Sequence, residues 1–247
     1  MSVKVLFIGA HNDECECDCG GTAKLLHDAG CEVRFLVVAD LWHKDNITED
    51  EKREYEAQSI RAAAILGAEK MTIGPHDAHL YKDGYEQVLK IESIILDYQP
   101  DIVFIHWPND NHLEHRLVAK DSYQAVCIAN VNGANIKEIY AFEAGQSQSQ
   151  CMFEPDVLIN VESVLPDIKE SLMSFSQSTA HGDWLYDAMC NGALFRGMTS
   201  GLYKMMEAYK IIKFPNRNDD LLLKQLLNDY FRWYGNGMYP AYGKLYF

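Results

Sequence analysis

The sequence predicts an α/β fold, a Rossmann-like, doubly wound and mainly parallel sheet flanked by helices. Apolar runs of strand length alternate with segments of helical period over most of the 247 residues. Hydrophobic residues make up 48% of the chain and charged residues 23%, which is ordinary for a protein that buries a sizeable core. No apolar run reaches the roughly 18 residues that a membrane-spanning helix needs.

The elements follow in order from the N-terminus, each marked by its own local signals. Thr48 and Glu51 have the spacing of a capping box at a helix start, and Gly30, Gly67 and Pro100 stand where helices end. Strands are predicted at 3–10, 32–39, 71–73, 101–107, 138–143 and 157–161. Helices are predicted at 22–29, 48–66, 88–98, 117–128 and 165–175.

The C-terminal part of the chain differs in composition from the rest. We expect a single domain over residues 1–213 and, over 214–247, a helical and aromatic extension packed on the domain or on a neighbouring subunit. An aromatic sugar-binding platform is the alternative, and a homo-oligomer is compatible with either reading. The aromatic residues are Tyr230, Phe231, Trp233, Tyr234, Tyr239, Tyr242, Tyr246 and Phe247.

The charge and cysteine counts exclude several classes of partner. The chain has 22 basic and 36 acidic residues, a net charge of -14 that argues against nucleic acid, and it has no basic amphipathic segment for a membrane surface. The N-terminal apolar run is too short for a signal peptide, so we expect a cytoplasmic protein. An odd count of seven cysteines in a chain of this length predicts reduced thiols.

Two polar segments follow the first and fourth predicted strands. Residues 10–14 read Ala-His-Asn-Asp-Glu, and residues 110–115 read Asp-Asn-His-Leu-Glu-His. In the common doubly wound order these strands are neighbours, and ligands bind at the edge where they end. His11, Glu14 and His115 would then supply two nitrogens and one oxygen to a divalent metal. A lone histidine at a strand end is more often structural, so the prediction depends on both segments together.

Other motifs are disfavoured. The first segment lacks the Gly-x-Gly-x-x-Gly spacing of a dinucleotide site, and the second is not the His-Glu-x-x-His helix of zinc proteases. Cys15, Cys17 and Cys19 alternate in the same loop, but no second cysteine cluster completes a thiolate site. We therefore interpret these thiols as small buried residues.

The two segments resemble the signatures of the LmbE/PIG-L-like zinc de-N-acetylases, which remove acetyl groups from N-acetylglucosamine-type sugars. Their first signature is Ala-His-Pro-Asp-Asp followed by a Gly-Gly-Thr helix start, which stands here at 10–14 and 20–22. Their second signature, Asp-x-His-x-Asp-His, stands at 110–115. The resemblance extends over about residues 1–213 and leaves the aromatic tail outside.

The resemblance implies a role for each matching residue. It places the metal ligands on His11, Glu14 and His115, the general base on Asp13, and the acid or oxyanion-stabilising histidine on His112. It implies one Zn²⁺ per chain, with Fe²⁺ as another divalent metal, and a small-molecule N-acetylated sugar substrate whose products are acetate and a free amino sugar.

The sequence departs from the family pattern at three positions. Glu14 replaces an aspartate ligand, Asn12 replaces a proline, and Tyr55 stands where the family often has an arginine, with Arg53 on a different helical face. The departures leave open a catalytically altered member that acts as a sugar-binding protein. A nucleotide-binding domain is a third reading, which depends on the strand and helix alternation alone.

Overall fold

Strands and helices alternate through the computed structural model, which describes residues 2–38, 48–74, 84–144, 152–175, 182–213 and 221–234. The strands in these ranges are β1 (Lys4–Gly9), β2 (Glu32–Val37), β3 (Ala68–Thr72), β4 (Ile102–His106), β5 (Glu138–Phe142), β6 (Val157–Asn160), β7 (Met206–Lys213) and β8 (Phe231–Trp233). The helices are α1 (Glu14–Asp28), α2 (Glu49–Ile65), α3 (Gly84–Tyr98), α4 (Leu113–Val131), α5 (Leu165–Leu172), α6 (Gly182–Thr199) and α7 (Leu222–Leu226).

All eight described strands belong to one sheet, in the order β3-β2-β1-β4-β5-β7-β6-β8. The first five strands of that order are parallel, and β7, β6 and β8 add antiparallel pairs at one side. Strand β1 pairs with both β2 and β4, so the strand order reverses between β1 and β4. The predicted fold class is confirmed, and the turns after β1 and β4 lie side by side at the switch point.

The core lies on both faces of the sheet, which explains why the parallel strands are apolar throughout. On the face covered by α1, α5 and α6, the Phe7 ring stacks on Phe104 with centroids 4.3 Å apart. On the other face, residues of α3 and α4 pack against β1, β4 and β5. The helices therefore cover both faces of the sheet. The polar turns lie at the edge formed by the carboxyl ends of the parallel strands.

Helix α1 begins eight residues earlier than the sequence predicted, at Glu14 instead of Thr22. The prediction was wrong because Gly20 and Gly21 are typical of a loop or a helix start, whereas here they lie within the helix. Cys15, Cys17 and Cys19 are therefore helical residues, with 0%, 6% and 0% of their surface exposed. All three pack in the core beneath the turn that follows β1.

The Glu207 carboxylate of β7 holds the middle of α1. It accepts hydrogen bonds from the Gly21 and Thr22 backbone N–H groups at 2.7 and 2.8 Å, and from the Thr22 hydroxyl at 2.6 Å. The Tyr209 hydroxyl also donates to it, at 2.9 Å. Because Glu207 is 5% exposed, these four donors offset the cost of burying its oxygens.

Replacing Gly21 by Ala is expected to lower the free energy of unfolding by about 1–3 kcal/mol, because a Cβ there overpacks the core. That Cβ would lie 2.4 Å from Val161 Cγ1 and 2.8 Å from Glu207 Oε1. The matched control is Gly20→Ala, whose Cβ would lie 3.1 Å from the movable Leu66 Cδ1 and 4.0 Å, an ordinary contact, from Ile168. Denaturant unfolding of both variants tests this, and equal stability of the two would contradict the role of Gly21.

The described part of the C-terminal segment packs on the domain. Leu223 and Phe231 belong to the core cluster that lies on the α1, α5 and α6 face of the sheet, and β8 pairs with β6. The buried Glu138 carboxylate accepts the Leu223 N–H at 3.1 Å and the Tyr140 hydroxyl at 2.8 Å, which fixes the start of α7. Residues Tyr239, Tyr242, Tyr246 and Phe247 lie outside the described ranges. The division between 213 and 214 stays a prediction.

A search for membrane-spanning helices in the described ranges found none of sufficient length and apolarity.

Candidate metal centre

The two polar segments meet at the carboxyl edge of the sheet. The turn after β1 carries His11 and Asp13, and Glu14 is the first residue of α1. After β4, His112 is the N-cap of α4 and His115 lies in its first turn. Because β1 and β4 are paired, all five predicted site residues are carried on adjoining turns.

Three donor atoms of these residues converge on one point. Glu14 Oε1 lies 2.6 Å from His11 Nδ1 and 2.6 Å from His115 Nε2, and the two nitrogens are 3.3 Å apart. His11, Glu14 and His115 are 4%, 7% and 3% exposed. Two imidazoles and one carboxylate form the donor set of many catalytic zinc sites, which keep a further position open. The residues present therefore fit a divalent metal.

The three donor atoms of His11, Glu14 and His115 form a triangle, and each of its two histidines is oriented by a second carboxylate. His11 Nε2 lies 2.7 Å from Glu114 Oε2, and His115 Nδ1 lies 3.0 Å from Asp110 Oδ2. Asp110 also accepts the His112 backbone N–H at 2.7 Å, so one carboxylate orients both histidines of α4. Such outer partners fix the tautomer and direction of ligating imidazoles. Sequence reasoning assigned no role to Asp110 or Glu114, although both belong to the second signature.

Hydrogen bonds from α2 and β3 hold the turn after β1 at Asn12. Asn12, which stands where the related signature has proline, accepts a hydrogen bond from the Ser59 hydroxyl at 3.2 Å. Lys70 of β3 donates to the Asn12 carbonyl and, at 2.6 Å, to the buried Glu16 carboxylate. Asp13 makes no capping hydrogen bond with its side chain, so its carboxylate is not committed to holding α1. These hydrogen bonds therefore anchor the turn, although Asn12 lacks the rigid ring of the proline in the related signature.

Electrostatics couple the ligands tightly. Burial lowers the pKa of His11 and of His115, but Glu14, together with Glu114 beside His11 and Asp110 beside His115, outweighs burial and raises the two pKa values to about 9 and about 10. Burial alone would raise the pKa of Glu14, but the nearby His115 and His11 hold it well below its ordinary value. Burial and the Glu14 charge raise the pKa of Asp13. Protons and a metal therefore compete for the same atoms.

His112 stands at the solvent side of the triangle, with 35% of its side chain exposed. Its ring centroid lies 5.1 Å from that of His11 and 4.5 Å from that of His115. Burial and the adjacent His115 lower its pKa. Donor atoms of His11, His112 and His115 all lie within 4.8 Å of one another, so His112 stands beside the candidate ligands while a third of its side chain stays exposed.

Sequence reasoning missed His106, the last residue of β4. Its ring is fully buried, and its Nε2 lies 2.8 Å from Glu14 Oε2. The only signal for it was a polar residue at the end of an apolar strand, which by itself favours no role. Tyr55, at the position of the family arginine, is buried in α2, and Arg53 pairs with Asp50 on the exposed face of that helix.

A cavity of about 340 Å³ lies one turn further along α1 from Glu14. Asp18 of α1 and Arg196 of α6 line it, together with Glu143, which directly follows β5. Arg196 forms two hydrogen bonds to the Glu143 carboxylate, one from Nε and one from Nη2. The volume lies within the range of about 300–1,000 Å³ that small-molecule pockets occupy.

The chain is similar to a curated protein of known activity. Over 150 residues the chain is 27% identical to a diacetylchitobiose deacetylase from Thermococcus kodakarensis, which is 56% of this chain and 54% of that protein. The match thus spans about half the length of that relative.

Two solved structures share the fold. A 4-carboxy-2-hydroxymuconate hydratase, GalB, from Pseudomonas putida has a TM-score of 0.74 at 21% identity, covering 89% of this chain and 99% of that one. The N,N'-diacetylchitobiose deacetylase from Pyrococcus horikoshii has a TM-score of 0.68 at 20% identity, covering 85% of this chain and 83% of that one. At these identities the likeness establishes the fold and not the reaction.

The family match covers the candidate metal centre itself. Residues 6–126 match the family PIG-L, described as GlcNAc-PI de-N-acetylase, and both signature segments lie within that range. The resemblance seen in the sequence is thereby confirmed over this segment, which is just under half of the chain.

Proposed function

We propose that this chain is a metal-dependent hydrolase that removes an acetyl group from an N-acetylated amino sugar or sugar conjugate. The observation that carries the proposal is the convergence of Glu14 Oε1, His11 Nδ1 and His115 Nε2 beside Asp13 and His112. We propose Zn²⁺ as the metal, because it suits a mixed nitrogen and oxygen set, with Fe²⁺ as the second candidate. The family and the deacetylase relatives support the reaction class.

His11, Glu14 and His115 would hold the metal. A bound divalent metal supplies Lewis acidity, which lowers the pKa of water and polarises an amide oxygen. Asp13, the N-cap of α1, takes a proton from the attacking water as the water oxygen bonds to the acetyl carbon. His112 stabilises the oxyanion and delivers a proton to the nitrogen as the C–N bond breaks. The products are acetate and the free amine.

The surroundings of the triangle support a saccharide over a polyanion. The net charge of -14 repels polyanionic substrates, and Asp18 and Glu143 add acidic groups near the site. The cavity lined by Asp18, Glu143 and Arg196, about one turn along α1 from Glu14, is the candidate place for the part of the sugar that does not react. Carboxylate and guanidinium groups on its wall are hydrogen-bonding partners for sugar hydroxyls.

Metal analysis coupled to an acetate-release assay tests the proposal. The purified protein is expected to contain about one divalent metal per chain. It should release acetate from at least one member of a panel of N-acetylated mono- and disaccharides, lose this activity on chelation, and recover it when zinc is returned. Deacetylated members of the same panel serve as blanks.

Three results would overturn the proposal. Turnover that survives complete chelation contradicts a metal-dependent reaction. Calorimetric binding of the sugars without metal or hydrolysis would favour the sugar-binding alternative. Hydration of 4-carboxy-2-hydroxymuconate, the compound named for the hydratase of the same fold, without acetate release would favour a different reaction on this fold.

A further inference from the structure

His106 is a buried residue of the metal centre with no role in the proposed reaction. It ends β4 and is 0% exposed. One face of its ring stacks on His115, with centroids 4.5 Å apart and 14° between the planes. The Phe142 ring, also 4.5 Å away, contacts it as well. The packing holds the imidazole in one orientation, with Nε2 directed at Glu14.

The two oxygens of Glu14 have different surroundings. Oε2 accepts hydrogen bonds from the backbone N–H groups of Ala10 and His11 at 2.7 and 2.8 Å, and it lies 2.8 Å from His106 Nε2. Oε1 faces His11 Nδ1 and His115 Nε2 instead. The carboxylate is thus split into one oxygen fixed to the turn after β1 and one oxygen left for the metal.

A glutamate needs this anchoring more than an aspartate does. Its side chain has one more methylene and one more rotatable bond, so fixing its carboxylate costs more conformational entropy. The related signature has aspartate at this position, whose carboxylate lies closer to the backbone. Here the longer side chain folds back over the turn, where Oε2 accepts the backbone N–H groups of Ala10 and His11.

The proton between the two side chains belongs to the imidazole. A carboxylate offers no proton, so His106 Nε2 donates to Glu14 Oε2. The Ala10 N–H lies 2.9 Å from the same nitrogen and 2.7 Å from the same oxygen, and it donates to the oxygen. Hydrogen bonds to a charged acceptor are stronger than neutral ones, so the buried pair resists rotation of the carboxylate.

We propose that His106 is a positioning residue that anchors Oε2 of Glu14, so that glutamate at the ligand position presents only Oε1 to a divalent metal. Residues 14 and 106 then act as a pair. The inference rests on the proposed function only in taking the bound group to be a metal ion. Outer partners of this kind change metal affinity by about 10–100-fold when removed.

Direct ligation by His106 is the competing explanation. Donor atoms of Glu14, His106 and His115 all lie within 4.8 Å of one another, which would admit a metal. His106→Gln separates the two roles, because the amide nitrogen of the new side chain reaches the place of Nε2 and donates a hydrogen bond but is a poor metal ligand. His106→Leu removes the donor and puts an apolar side chain in the buried position.

The test uses Co²⁺ as the probe, with affinity from competition titration and geometry from the visible absorption spectrum. His106→Leu is expected to bind Co²⁺ about 10–100-fold more weakly, whereas His106→Gln keeps the wild-type spectrum and most of the affinity. Glu14→Asp, although it restores the residue of the family signature, is expected to weaken binding because Asp cannot reach both the anchors and the metal. The double variant Glu14→Asp/His106→Leu is expected to bind Co²⁺ no more weakly than the single variant that binds it more weakly. The reason is that each of the two substitutions removes the same contact.

Phe104→Leu is the matched control for packing. Phe104 lies two residues earlier on the same strand and is fully buried, stacked between Phe7 and Tyr140. The Phe104→Leu substitution should lower the thermal unfolding midpoint without changing the affinity for Co²⁺ or the visible spectrum of the bound Co²⁺.

The outcomes separate this inference from the proposed function. Wild-type protein that binds neither Co²⁺ nor Zn²⁺ would overturn the proposed function. Wild-type binding that is unchanged in His106→Leu, or additive losses in the double variant, would overturn only the pairing of residues 14 and 106. A His106→Gln spectrum that differs from wild type would assign His106 as a ligand instead. If His106→Leu does not fold, the Gln and Glu14→Asp variants still decide between these outcomes.

Discussion

Replacing Asp13 by Asn is expected to lower kcat for acetate release by about 10²- to 10⁴-fold, the usual contribution of a general base. The amide keeps the size of the side chain but cannot take the proton of the attacking water. Metal content should stay at the wild-type level, because Asp13 is not part of the triangle formed by His11, Glu14 and His115. Steady-state kinetics and metal analysis on the same preparation check both halves of the expectation.

Asp18→Asn is the matched control for Asp13→Asn. Asp18 lies in α1 five residues after the N-cap Asp13 and is partly buried like it, so its replacement makes the same chemical change in a similar environment. It lines the adjoining cavity and not the triangle, so an effect on KM is compatible with the proposal whereas a comparable loss of kcat is not. Wild-type turnover in Asp13→Asn would remove Asp13 from the chemistry.

Replacing His115 by Ala is expected to remove the metal and with it the activity. His115 contributes Nε2 to the triangle, stacks on His106, and is the partner of the Asp110 carboxylate. Its loss deletes a ligand and leaves Asp110 and Glu14 with less compensation. Metal affinity should fall by more than the roughly 100-fold that loss of an outer partner costs. Added zinc should not restore turnover at concentrations that saturate the wild type.

His27→Ala is the control for His115→Ala. His27 lies in the last turn of α1 and is exposed, far along the helix from Glu14. It should retain metal and turnover. Circular dichroism and the thermal unfolding midpoint of both variants separate a lost site from a lost fold. A folded His115→Ala protein with normal metal content and turnover would contradict the proposed ligand set.

Local sequence signals predict some residues of the site and not others. His11, Asp13, Glu14, His112 and His115 belong to two short segments at strand ends, and parallel strand pairing brings such ends together. Their positions could be predicted before the structure, whereas their chemical roles stay proposals.

The missed residues act through long-range contacts. His106 meets Glu14 across 92 positions of sequence, and no spacing rule connects a single histidine at the end of an apolar strand to a carboxylate so far away. Glu114 was missed as a partner of His11 for the same reason, across 103 positions. These contacts exist only because β1 and β4 are neighbours in the sheet.

The start of α1 was placed wrongly for a related reason. Local propensity places a break at Gly20 and Gly21, but Glu207, which is 186 positions from Gly21, accepts the backbone N–H groups there and keeps the helix continuous. Helix α6 and strands β7 and β8 were not predicted either. Gly192 and Gly197 interrupt the helical signal of α6, and β8 has three residues, too few for a period to be recognised.

By itself the sequence determined the α/β class and the two segments that carry the candidate ligands. These are encoded in hydrophobic period and in residues that are close along the chain, where the physical signals are local. Only the tertiary structure decided which oxygen of Glu14 faces the metal centre and which residues orient the ligands. Those facts depend on atoms that folding brings within about 3 Å from distant parts of the chain.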